Sequence, residues 1–206
     1  MPRTPYGHEI DAAPLSARDA EVVQAIEEEG LTVFSFDGLR RITGAHPETL
    51  SRALDRLEEQ GVVTRAPEGY IVTERAKEVP AVRPLGVAEA RIPLLHTLLP
   101  YDVKLSEVVS QLKGKWFGAL RWVGYSLSEE GTVLKWVTDD GAVQIDARFS
   151  PGQLDIDAKV AGRNDVSEAV KASHQLMSHV SKLYAPRGGR ILQFAVPAGY
   201  LNPASM

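Results

Sequence analysis

The chain contains no cysteine. That absence excludes disulfides, thiolate metal sites and cysteine nucleophiles. No run of about 18 apolar residues occurs, so no segment reads as a membrane-crossing helix. The opening residues Met1-Pro2-Arg3-Thr4-Pro5 carry no apolar stretch of the kind a secretory signal needs, which argues for a cytoplasmic protein. No phosphate loop, dinucleotide fingerprint or nucleophile elbow is present, so neither a cofactor nor an enzymatic activity is expected. An excess of basic charge is missing too: the formal net charge is −4. What is there is ordinary globular composition, with 44% hydrophobic and 24% charged residues over 206 positions, enough for one large domain or two small ones.

The charge is unevenly spread. Residues 1–80 carry 9 Lys+Arg against 15 Asp+Glu, and the remainder 14 against 12. All but one of the first nine basic residues are arginines. Any polyanion contact in that half must therefore come from a local arginine patch.

The hydrophobic spacing predicts a helix from Leu15 to Gly30, capped by Ser16, with Val22, Val23 and Ile26 as its apolar stripe. Leu31-Thr32-Val33-Phe34 reads as a brief strand. Phe36, Leu39 and Ile42 predict a second short helix ended by Gly44. His46 is read as a local cap or surface residue, and Pro47 suits the first position of a third helix. Leu50, Ala53, Leu54 and Leu57 give that helix a buried stripe, and Gly61 closes it. Val62-Val63-Thr64-Arg65 and Tyr70-Ile71-Val72 flank the turn Ala66-Pro67-Glu68-Gly69, and Thr73 caps a further helix.

In this order, Leu39-Arg40-Arg41-Ile42-Thr43-Gly44-Ala45-His46-Pro47-Glu48-Thr49-Leu50-Ser51-Arg52-Ala53-Leu54 resembles the helix-turn-helix of MarR/ArsR-like transcription regulators of archaeal and bacterial type. Leu57-Glu58-Glu59-Gln60-Gly61-Val62-Val63 and Gly69-Tyr70-Ile71-Val72-Thr73 resemble the helix exit and wing of that family. The resemblance covers residues 15–78, a little under a third of the chain. It implies a winged helix-turn-helix whose third helix enters the major groove of duplex DNA. Thr49 and Ser51 would meet phosphates or bases, and Arg52 would fork onto a guanine. Arg40, Arg56 and Arg65 would take backbone phosphates, with Gly69 at a wing tip in the minor groove. The candidate interface is Arg40, Arg41, Pro47, Glu48, Thr49, Ser51, Arg52, Arg56, Arg65 and Gly69. Glu68 departs from the family's basic wing, and Glu58, Glu59 and the run Glu27-Glu28-Glu29 must face away from DNA.

The two prolines of Lys77-Glu78-Val79-Pro80-Ala81-Val82-Arg83-Pro84 mark a boundary. Beyond it, a helix is expected from Val87 to Leu99 and another from Leu105 to Leu112. Four strands follow between Trp116 and Val160, the turn Asp139-Asp140-Gly141 being a strong hairpin signal. A long helix from Asp165 to Tyr184 has an apolar face fit to cover them. The expected fold class is α+β: an N-terminal winged helix-turn-helix, then a two-layer domain of four-stranded antiparallel sheet covered by a long helix. The divisions are an arm at 1–14, the winged helix at 15–80, a linker with dimerisation helices at 81–114, the sheet domain at 115–185 and a tail at 186–206. In that tail, Ile191-Leu192-Gln193-Phe194-Ala195-Val196 reads as an added strand, a clasp on a partner, or a docked loop.

Trp116, Phe117, Trp122, Tyr125 and Trp136 read as core or interface, with a small hydrophobic effector between sheet and helix as a further option. Asp146, Asp155 and Asp157 share a polar strand face, where Lys135, Arg148 and Lys159 can offset them. His174 and His179 lie about 140° apart on one helix and do not converge on a metal. The expected function is sequence-specific binding of double-stranded DNA by a homodimeric transcription regulator. The alternatives are a non-specific chromatin-type protein and a winged-helix protein-interaction module of transcription or replication machinery.

Overall fold

The computed structural model describes residues 15–78, 91–100, 103–160 and 165–184. Helix α1 (Ala17–Glu28) begins where Ser16 Oγ accepts the Asp19 N–H at 3.2 Å. Strand β1 (Val33–Phe34) is followed by α2 (Phe36–Thr43), whose cap Ser35 accepts the Gly38 N–H at 3.1 Å. Gly44 ends α2 at φ 64°, a left-handed conformation that glycine adopts without steric penalty. Helix α3 (Pro47–Glu59) starts on its proline and buries Leu50, Ala53, Leu54 and Leu57. Strands β2 (Val63–Ala66) and β3 (Gly69–Val72) form a hairpin, and a short 3₁₀ turn spans Glu74–Glu78. Then come β4 (Arg91–Leu98), α4 (Leu105–Leu112), β5 (Leu120–Ser128), β6 (Gly131–Thr138), β7 (Val143–Ser150), β8 (Gln153–Val160) and α5 (Val166–Tyr184).

The expectation of a winged helix-turn-helix followed by a separate four-stranded domain is overturned. All eight strands belong to one antiparallel sheet, in the order β2-β3-β1-β5-β6-β7-β8-β4. The joint is β1. It pairs with β3 on one side (Val33 opposite Ile71) and with β5 on the other (Val33 opposite Tyr125). Two glycines make the joint possible. A Cβ on Gly124 would lie 2.2 Å from the Val33 carbonyl oxygen, and a Cβ on Gly38 would lie 2.4 Å from Val123 Cα. No local pattern announces a pairing between strands some ninety residues apart, so sequence periodicity alone left the two sheets separate.

A second correction concerns the helix expected from Val87 to Leu99. Residues 87–90 lie outside the described residues, and Arg91–Leu98 is the edge strand β4, paired with β8. The spacing of Ile92, Leu95 and Leu98 suits a helix, but Pro93 would sit inside it without an N–H to donate. An edge strand tolerates that proline, and the register shifts by a bulge between Pro93 and Leu95.

The sheet is covered on both faces. Trp122, Leu134, Trp136, Ile145, Ala147, Ile156 and Ala158 pack with α4 and α5 in one core. On the opposite face, Val123 and Val137 join the core of α1, α2 and α3. Among the described residues no helix is long and apolar enough to cross a membrane.

Candidate nucleic-acid interface

The turn between α2 and α3 is set by its own side chains. Thr43 Oγ1 donates back to the Leu39 carbonyl at 2.9 Å and accepts the Ala45 N–H at 3.3 Å. His46 holds the cap position of α3 in an extended conformation and makes no side-chain cap bond. Leu50, Leu54 and Leu57 are fully buried; each stabilises the anchored face by roughly 1.5–3 kcal/mol. The opposite face of α3 is open, with Pro47, Glu48, Arg52, Asp55 and Glu59 exposed and Thr49, Ser51 and Glu58 half-buried.

The arginines are brought to the expected surface, but none is without an acidic partner. Arg52 Nη2 lies 2.5 Å from Glu48 Oε1, both side chains well exposed. Arg65, exposed on β2, pairs with Asp55, and its Nε lies 3.1 Å from Glu58 Oε2. Arg40 Nε lies 3.6 Å from Asp37. These exposed pairs contribute little and weaken with salt, so a phosphate can replace the carboxylate.

Arg41 and Arg56 are different. Arg41 pairs with Asp139, in the β6–β7 turn, at 3.6 Å and donates to the Asp37 carbonyl at 3.1 Å. Arg56 forks onto Asp19 of α1, whose carboxylate is buried. Burial pushes that carboxyl up, but hydrogen bonds from Arg56 and Ser16 and the Arg56 charge outweigh it and leave it below its ordinary value. Both arginines hold elements together, so the geometry does not favour Arg56 as a phosphate contact or Arg41 as part of the interface. Gly69 likewise serves packing. Its φ is 130°, and a Cβ there would meet the Phe34 carbonyl oxygen at 2.2 Å.

Three features escaped the sequence reading. Asp19 and Glu29 continue the apolar stripe of α1 in phase with Val22 and Ile26, the signal that they point inward. Glu29 enters a buried ionic cluster on the sheet. Lys135 Nζ lies 3.2 Å from Glu29 and 2.8 Å from Asp146, Lys159 Nζ lies 2.5 Å from Glu29, and Gln144 donates to both acids. Burial raises the Glu29 carboxyl, but the Lys135 charge and bonds from Lys159 and Gln144 hold it below the ordinary range. Glu27 and Glu28, by contrast, are exposed.

The third feature is Trp116, assigned to core or interface. It is 61% exposed, whereas Trp122 and Trp136 are buried. Comparison of the chain with protein-family models, with curated proteins and with solved structures finds no match.

Proposed function

We propose that the chain binds double-stranded DNA through the outer face of α3, as a homodimeric, sequence-specific transcription regulator acting in the cytoplasm. The observation that carries this reading is the two-sided environment of α3. Its inner face is fastened by the leucine stripe and by the Arg56–Asp19 fork. Its outer face keeps Thr49, Ser51 and Arg52 accessible, the Arg52 side chain being 70% exposed. A helix anchored in this way can lie in a major groove with its first turns toward base edges. Arg40 and Arg65, whose partners are exposed acids, are the phosphate contacts of the reading. The sheet body then serves dimer contacts, effector sensing, or both. In the dimer, two α3 helices would sit about 34 Å apart, one turn of B-DNA.

Retention of genomic duplex fragments by the full chain tests this, with Arg52→Ala and Arg65→Ala as variants. Both are expected to weaken retention, and Arg65→Ala also to flatten its salt dependence. Unchanged retention by both folded variants contradicts the reading. Equal affinity for random duplex would assign the chain to non-specific coating instead, since specific sites are bound about a thousandfold or more tighter.

A second reading is favoured by a specific observation. Every candidate arginine already has a carboxylate neighbour, and Glu68 occupies the hairpin tip without a basic residue beside it. That mixed surface suits a protein partner. Co-purification with a polymerase or replication subunit, without retention of DNA, would identify this alternative.

A further inference from the structure

The loop between α4 and β5 is rich in basic residues. From Glu107 to Glu129 the sequence carries Lys113, Lys115 and Arg121 and no acid between them. Lys113 and Lys115 have no carboxylate within ion-pair distance among the described residues, and neither does Lys182 of α5. The candidate arginines Arg40, Arg41, Arg52, Arg56 and Arg65, by contrast, each have an acidic partner. The His179 imidazole is pushed below its ordinary value by burial first, then by the charges of Lys115 and Lys182. The loop is thus locally basic on a chain whose overall charge is negative, with Lys113 Nζ lying 3.7 Å from the Tyr125 ring centroid.

Trp116 follows Lys115 in this loop. Arg121 lies with its guanidinium 4.7 Å from the indole centroid, and 61% of the residue remains exposed. Arg121 is itself held, donating to the Gly118 carbonyl and to Asp139, both at 2.7 Å. The backbone on either side of the indole is fixed as firmly. The buried Trp136 donates its indole N–H to the Lys115 carbonyl at 2.8 Å. Phe117, next in sequence, is buried edge-on against Trp136 at 5.5 Å and packs on His179 at 4.9 Å. Phe117 and Leu120 exchange two backbone hydrogen bonds, at 3.0 and 2.9 Å, around Gly118 at φ 58°. One aromatic of the Trp116-Phe117 pair thus anchors the loop, while the other is presented to solvent.

Leaving a tryptophan out of the core forfeits burial that neighbouring aromatics obtain. A firmly held, exposed indole in a loop that also carries lysines suits nucleic-acid single strands: cations track phosphates and the ring stacks on an unpaired base. A duplex offers the same phosphates but keeps its base faces stacked inside, so it could use only the lysines. We propose that Trp116, with Arg121 against its ring and Lys113 and Lys115 in the same loop, forms a second nucleic-acid site, which takes single-stranded DNA or RNA by stacking a base on Trp116. Asp139 pairs with Arg41 of the candidate interface as well as with Arg121 of this site, but the existence of the site does not depend on α3 binding duplex.

The full chain carries its own probe. Trp122 and Trp136 are buried, so an added strand changes chiefly the Trp116 emission. A 20-nucleotide oligothymidylate, its RNA counterpart oligouridylate, a mixed-sequence duplex of the same length and inorganic polyphosphate are titrated into the native chain and into Arg52→Ala. The proposal expects quenching by at least one of the single strands, equal in both proteins, with weaker binding of the duplex and of polyphosphate. Trp116→Ala is expected to lower the affinity roughly tenfold or more, and Trp116→Phe to restore much of it. For these two variants a 3′-dye-labelled strand supplies the anisotropy readout. Lys113→Ala with Lys115→Ala should reduce the salt slope by about 1.4, two phosphate contacts' worth. The exposed position predicts that Trp116→Ala melts as the native chain does. Polyphosphate binding as tightly as the single strands would overturn the stacking site, as would Trp116→Ala leaving the affinity unchanged. Absence of binding by both strands would overturn the whole proposal, whatever the α3 face does with duplex.

Discussion

Arg56 Nε and Nη2 reach Asp19 Oδ2 and Oδ1 at 3.0 and 2.6 Å, clamping α3 to α1 across 37 residues of chain. The pair is lopsided, with Asp19 buried and Arg56 partly open to solvent. Removing the guanidinium leaves a buried carboxylate with Ser16 as its remaining partner. Arg56→Ala should therefore lower the urea midpoint at neutral pH. The pH dependence should change as well. In the native chain Asp19 is depressed, so its contribution is present above the unfolded value near 4 and is lost as pH falls through the folded one. In the variant only the Ser16 hydrogen bonds still oppose burial, so the carboxyl should rise and the loss of stability on acidification through this group should shrink or reverse. Urea unfolding between pH 3 and 7 reads both effects.

Lys135 joins Glu29, at the end of α1, to Asp146 in the middle of the sheet. All three are buried. Lys135→Met should cost roughly 3–5 kcal/mol, because two carboxylates lose their shared cation. Replacing the three together by apolar residues of similar volume should cost far less. Chemical denaturation of the single and triple variants separates the two outcomes.

Asp157 lies directly opposite Asp146 across β8 and β7. Burial, then the Asp146 charge, raises its carboxyl, and Arg91 only partly opposes this. A raised carboxyl weakens the fold as pH climbs through its folded value. Asp157→Asn should accordingly stabilise the chain at pH 7, by roughly 0.2–1 kcal/mol for relief of a facing like-charge pair. Its stability should also rise less on acidification than that of the native chain. Thermal melts at pH 4.5 and 7 would show both.

Gly38 is the closest contact between α2 and the sheet. Gly38→Ala places a methyl 2.4 Å from Val123 Cα and 2.8 Å from its carbonyl oxygen, where backbone must yield. The cost should be roughly 1–3 kcal/mol or more. Faster amide exchange at Ser35 and Thr32, which donate to the Val123 and Tyr125 carbonyls, should accompany it. A silent substitution would contradict the joined sheet.

Local chemistry was legible in the sequence where a single residue type decides the conformation. Ser16, Gly44, Pro47 and the leucine stripe of α3 marked their elements because capping, left-handed turns and 3.6-residue spacing are properties of a few adjacent residues. The strand β4 was misread because its apolar spacing fits two periodicities, and Pro93 was the residue that should have decided between them. The single sheet was hidden because β1, at two residues, carries no pattern of its own. The candidate arginines were legible as a set beside the apolar stripes of α2 and α3. Their division into exchangeable contacts and structural clamps was not, since Asp19 and Asp139 approach them only through the tertiary fold. Trp116 looked like core for the same reason: hydrophobicity alone does not separate an anchoring aromatic from one held out to solvent.

The absence of cysteine gives direct access to the outer face of α3. Ser51→Cys introduces a single thiol there, to which a photoreactive aryl azide can be attached. Irradiation in the presence of genomic duplex fragments should cross-link the protein to DNA, and Arg52→Ala in the same background should weaken the cross-link. A thiol at position 51 that never captures DNA, while the labelled protein remains folded, would contradict binding of duplex through α3.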